Sequence, residues 1–104
     1  MNQTVTVLAP IKLAPGKTEE DLMIASNDFQ KNFVAQQQGV LRRELIRTSE
    51  GRYLDLVQFR SKEDALKVIE EEGKSPVCQK FFSLMDFTDA DSNIEFHTSL
   101  ATYS

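Results

Sequence analysis

Two strand-like ribbons, each running into a helix that opens on its own capping signal, constrain this chain more than any other feature. The first ribbon covers residues 4–13, and Pro15-Gly16-Lys17 turns it into a helix that begins Thr18-Glu19-Glu20-Asp21. The second covers residues 52–60 and leads into Ser61-Lys62-Glu63-Asp64. In both, a cap hydroxyl is placed to accept from an N–H of the first turn, and the acids complement the positive end of the helix. A lone strand, residues 40–48, precedes the second unit, and a last strand, residues 93–103, closes the chain. The element order is therefore β-α-β-β-α-β.

The patterning inside these elements says which faces are buried. In the first ribbon Val5, Val7, Ala9, Ile11 and Leu13 share one face, with Leu8 and Pro10 on the other. A strand apolar on both sides is expected to be covered on both sides. Pro10 cannot donate to a ladder, so a bulge or the end of regular pairing is expected there. Leu22, Ala25, Phe29 and Phe33 recur at helical spacing, and Gln36-Gln37-Gln38-Gly39 ends that helix. Ala65, Leu66, Val68 and Ile69 give the second helix its stripe; Glu70-Glu71-Glu72-Gly73 ends it and reads as a solvated face. Ser75-Pro76 opens a short helix to Leu84, and residues 86–92 form a polar loop. A tight turn on Glu50-Gly51 would set Leu45 opposite Leu56 and Ile46 opposite Asp55. That register gathers Leu41, Leu45, Leu54 and Leu56 on one face and Arg42, Glu44, Ile46, Tyr53, Asp55, Val57 and Phe59 on the other, and the tidy leucine face favours it.

These elements predict a single domain over residues 1–104: an α+β, ferredoxin-like βαββαβ sandwich with an antiparallel four-stranded sheet. Helices cover one face of such a sheet. A second copy of the chain is the expected cover for the other, making a homodimer through the sheet face. Net charge is −4 and the isoelectric point near 4.9, which leaves no basic stripe for nucleic acid. The single cysteine, Cys78, excludes an intrachain disulfide. No apolar run nears the ~20 residues a membrane helix needs, and the first residues carry no basic leader. A cytoplasmic protein is expected.

Four segments carry a family likeness: Ile11-Lys12-Leu13-Ala14-Pro15-Gly16-Lys17, Gly39-Val40-Leu41-Arg42-Arg43-Glu44-Leu45, Tyr53-Leu54-Asp55-Leu56-Val57-Gln58-Phe59-Arg60-Ser61, and Ser75-Pro76-Val77-Cys78-Gln79-Lys80-Phe81-Phe82. In order and spacing they resemble the antibiotic biosynthesis monooxygenase (ABM) domain family. The resemblance implies a dimeric α/β barrel in which two sheets pack with their non-helical faces inward, leaving a pocket in each protomer. It also implies either a cofactor-independent oxygenase of quinol-like aromatics, a haem-degrading enzyme, or a member without a reaction. Phe59 stands where the characterised enzymes usually carry tryptophan. Ala9 stands where haem-degrading members carry asparagine, and no histidine lies on the second helix, so haem degradation is not expected.

Candidate chemistry then rests on few residues. Asp55 is a carboxylate in an apolar strand, suited by burial to take a proton from a phenol or quinol; alternatively it pairs with Arg42 or Arg43. His97 is the lone histidine, either a second proton handler or a strand residue at the rim or the dimer contact. Tyr53, Phe59 and Tyr103 could wall a site for a small apolar or aromatic ligand, or pack as ordinary sheet aromatics. Arg42 could hold an acidic substrate, or pair with Glu44 or Asp55. P-loops, nucleophilic triads, dinucleotide fingerprints and zinc spacings are absent from the sequence. Oxygen chemistry here would be of the cofactor-free kind: the deprotonated substrate itself reduces dioxygen.

Overall fold

In a computed structural model that describes residues 3–87 and 93–103, the expected architecture forms. The elements are β1 (Val5–Ile11), α1 (Glu19–Asn32), a single 3-10 turn (Val34–Gln36), β2 (Val40–Arg47), β3 (Tyr53–Phe59), α2 (Lys62–Glu72), α3 (Pro76–Phe82) and β4 (Glu95–Thr98). The four strands make one antiparallel sheet in the order β2-β3-β1-β4. Of the expected polar loop, residues 88–92 lie outside the described residues.

Local chemistry explains where the elements begin and end. Thr18 and Asp21 form a reciprocal capping box: Asp21 N–H donates to Thr18 Oγ1 at 3.2 Å and Thr18 N–H to Asp21 Oδ2 at 3.0 Å. The second box is half made. Ser61 Oγ accepts from Asp64 N–H at 3.1 Å, but the Asp64 carboxylate turns to Arg60, 2.7 Å away. Pro10 is tolerated because β4 pairs only with Val5 to Leu8, so β1 is an open edge on that side at Pro10. Pairing with β3 continues through Ile11. The last strand is much shorter than residues 93–103, because β4 runs past the start of β1: Ser99 N–H donates to Thr4 O at 2.8 Å, and Leu100 and Tyr103 lie exposed beyond.

The hairpin corrects the expected register. Thr48 N–H donates to Arg52 O at 2.8 Å and Gly51 N–H to Thr48 O at 3.0 Å, so Ser49-Glu50-Gly51 is a three-residue loop with Gly51 at φ +77°. This is a type I turn closed by a glycine bulge, whose left-handed residue only glycine adopts without strain. Leu45 therefore faces Asp55 and Ile46 faces Leu54. A second irregularity between Val40 and Arg42 leaves Leu41 exposed. The expected leucine face is consequently split. Arg43 and Leu45 join Asp55, Val57 and Phe59 beneath the helices, and Arg42, Glu44 and Ile46 join Leu54 and Leu56 on the face without helices.

The core lies between the sheet and the helices. Leu22, Ala65 and Cys78 are fully buried, and Phe29 of α1 stacks on Phe81 of α3 at 4.4 Å between ring centroids.

Candidate functional site

A cavity of about 410 Å³ opens inside this layer. Its floor is the helix-facing row of β1 and β3, including Val7, Ala9, Val57 and Phe59; Val68 of α2 and Phe82 of α3 close it from above. Such a mostly apolar lining favours apolar molecules. Two carboxylates, Asp55 and Glu72, interrupt it. The cavity sits under the helices, on the opposite side of the sheet from the face that the barrel picture turns inward.

Asp55 is at the middle of β3, opposite Ala9 on one side and Leu45 on the other. The one-residue shift of the hairpin brings Arg43, rather than Arg42, onto its face. Arg43 Nε lies 3.0 Å from Asp55 Oδ1 and 3.1 Å from Oδ2, with both side chains at least nine-tenths buried. The N–H aims at Oδ2. Oδ1, though within ion-pair distance, accepts no hydrogen bond from any described residue. The rest of the guanidinium is occupied: one terminal nitrogen donates to Ser26 Oγ at 2.9 Å and the other reaches Gln30 Oε1 at 3.4 Å. Its plane also lies over the rings of Phe29 (4.9 Å) and Phe81 (5.5 Å), a desolvated cation on two aromatic faces. Burial pushes the Asp55 carboxyl above its ordinary value, against the opposing pull of Arg43.

Glu72 is the group the sequence pattern hid. It is the last residue of α2 and lines the same cavity, half-buried. Burial and repulsion from Asp55 push its carboxyl up to about 7, with Arg43 pulling the other way. The acidic run Glu70–Glu72 is thus not a uniform solvated face: Glu70 lies 3.6 Å from Lys74, while Glu72 turns inward. One signal was available. Glu72 continues the stripe Ala65, Val68, Ile69 at helical spacing, so it falls on the covered side of α2. It also sits at the negative end of a helix, where a carboxylate is disfavoured.

The structure does not bring the other anticipated residues together with Asp55, except Phe59, which lines the cavity at 3% exposure. His97 pairs across from Thr6 on the opposite face of the sheet, exposed, 3.6 Å from Glu95. Arg42 is on that face too and is bound to Glu44. Tyr53 lies under α1, where partial desolvation and the Glu19 carboxylate push its phenol up. Tyr103 is exposed in the segment after β4. Among the described residues no three His, Cys, Asp or Glu side chains are grouped to hold a metal ion, and no helix is long and apolar enough to cross a membrane.

No protein-family model matches the sequence, and no curated protein matches it. Solved structures do match the fold. SnoaB, a cofactor-independent oxygenase from Streptomyces nogalater, superposes with a TM-score of 0.74 at 16% identity over 96% of each chain. A protein from Caulobacter crescentus that carries the antibiotic biosynthesis monooxygenase name gives 0.69 at 21% identity, over 96% of this chain and 92% of that one. A heme-degrading protein from Mycobacterium tuberculosis gives 0.62 at 15% identity over 100% of this chain and 99% of that one. The fold is the ferredoxin-like α+β fold of structures bearing the antibiotic biosynthesis monooxygenase name.

Proposed function

We propose that this chain belongs with the cofactor-independent monooxygenases whose fold it shares, and that it oxidises a small phenol or quinol held in the cavity between sheet and helices. The observation that carries this reading is that a buried carboxylate, Asp55, and a half-buried one, Glu72, line one mostly apolar cavity. A volume of about 410 Å³ accommodates a small aromatic molecule. Asp55 lines the cavity, and its Oδ1, though within ion-pair distance of Arg43, accepts no hydrogen bond from any described residue, which leaves the carboxylate an acceptor short of donors. Loss of the hydroxyl proton leaves an electron-rich phenolate. For a simple phenol, that anion reduces dioxygen, a C–O bond forms at a ring carbon, and the O–O bond breaks with loss of water. Phenol and dioxygen thereby give quinone and water. A homodimer through the bare sheet face completes the proposal, as does a cytoplasmic setting.

A second reading is a dimeric module that binds a small apolar ligand without turnover. The Arg43–Asp55 pair favours it, since a satisfied ion pair needs no reaction to explain it. Oxygen uptake with a panel of phenols and quinols separates the two. Wild-type protein should consume oxygen with at least one of them, and Asp55→Asn, its fold checked by circular dichroism, should lose at least tenfold in kcat/KM. Equal rates in the two proteins remove Asp55 from the chemistry, and no uptake by wild type rejects the enzyme reading.

A further inference from the structure

We propose that Glu72, rather than Asp55, takes the proton from the substrate hydroxyl, with Asp55 as the fixed acceptor that orients that hydroxyl. This assignment rests on the reading above and deepens it. The two carboxylates line one cavity but differ in their commitments. Asp55 is held on a central strand and its charge is answered by Arg43, which is itself locked by Ser26, Gln30 and two phenyl rings. Such a carboxylate positions a donor well. Protonating it would strand a buried guanidinium, which opposes the upward push that burial gives its carboxyl. Glu72 has no ion-pair or hydrogen-bond partner for its carboxylate among the described residues, sits on a helix end, and lines the cavity while still partly open to water. A half-buried acid of this kind touches both the cavity and solvent and can carry a proton between them.

The charges facing Glu72 agree. Among the described residues these are Asp55 from β3, Arg43 from β2 and the Cys78 thiol from α3, whose own value Glu72 helps to raise. Asp55 and the helix end favour protonated Glu72; Arg43 alone opposes it. A base poised near neutrality is the efficient acceptor for a phenol proton. In the step, the substrate O–H bond breaks, its electron pair stays on oxygen, and the proton goes to a Glu72 carboxylate oxygen.

The test compares wild type, Glu72→Gln and Asp55→Asn by pH profiles of oxygen uptake with a reactive phenol. Wild type should show kcat/KM falling tenfold per pH unit below about pH 7. Glu72→Gln should lose that limb and drop at least a hundredfold at pH 8. Asp55→Asn should keep a limb, moved to lower pH, with a raised KM. A limb that survives in Glu72→Gln, or vanishes in Asp55→Asn, overturns the assignment. A second measurement is independent of turnover. With 4-nitrophenol bound at pH 8, the carbon-13 signal of the Glu72 carboxyl, assigned by its absence in Glu72→Gln, should move to its protonated position while the probe shows phenolate absorption. An ionised Glu72 beside a neutral probe, or no binding at millimolar probe, overturns it. If no phenol is oxidised, the proposed function fails and this second measurement alone decides the role of Glu72.

Discussion

Arg43 and Asp55 lie twelve positions apart in sequence and meet only because a three-residue loop turns the hairpin one residue out of the tight register. The sequence placed a carboxylate in a buried strand and two arginines near it. It did not say which arginine, because a one-residue slip exchanges the faces of an entire strand. Glu72 was missed for a different reason: three successive glutamates look alike in sequence, and helical phase alone distinguishes the one that points inward. Its raised value has a consequence for stability. A carboxyl at about 7 when folded, against its ordinary 4.5, holds its proton more tightly in the native state. The stabilisation is complete below pH 4.5 and is lost as pH climbs through 7. Wild-type protein should therefore be less stable to urea at pH 8 than at pH 5.5, by about 1–3 kcal/mol after allowing for the solvent that reaches the side chain. Glu72→Gln should flatten that difference; an unchanged slope would show that another group is responsible.

At the scale of elements, the strand–helix units were legible because capping and turn chemistry is local. Thr18, Ser61 and Ser75 each accept from the N–H three residues on. Strand ends were less legible, since a strand lasts only as long as its pairing with its neighbour, and β4 ends at Thr98, opposite Val5 where β1 begins. The join between β2 and α2 depends on a close approach that no pattern reveals. A Cβ on Gly39 would lie 2.6 Å from Asp64 Cβ, at the first turn of α2, while Gly39 O accepts from Arg60 N–H at 2.8 Å. Gly39→Ala should push α2 from its seat over the cavity and cost about 1–3 kcal/mol, read from the urea midpoint. Gly73, at φ −67° with only an ordinary 3.4 Å contact for an added Cβ, is the comparison for loss of packing room; wild-type stability in Gly39→Ala would mean that α2 yields freely.

For the whole molecule, one face of the sheet is covered by the helices and holds the cavity, but the opposite face is not covered by this chain's helices. That face carries Leu8, Leu54, Leu56 and Ile46, none fully buried, together with Arg42, Glu44, Glu95 and His97. An apolar centre with a charged rim is the usual composition of a contact surface between proteins. Light scattering at micromolar concentration should give the mass of a dimer. Leu56→Lys, at the middle of that face, should give a monomer that keeps its circular dichroism spectrum. A wild-type monomer would remove the proposed assembly while leaving the cavity, which lies on the other side of the sheet, intact.

Sequence alone determined the order of elements, the ferredoxin-like sheet and a buried acid in its central hairpin, since caps, turns and alternation act over a few residues at a time. Tertiary structure alone decided that Asp55 pairs with Arg43, that Glu72 joins it, and that His97 and Arg42 are on the far side. Those outcomes turn on register and helical phase, and a shift of one residue reverses them at almost no change in local pattern.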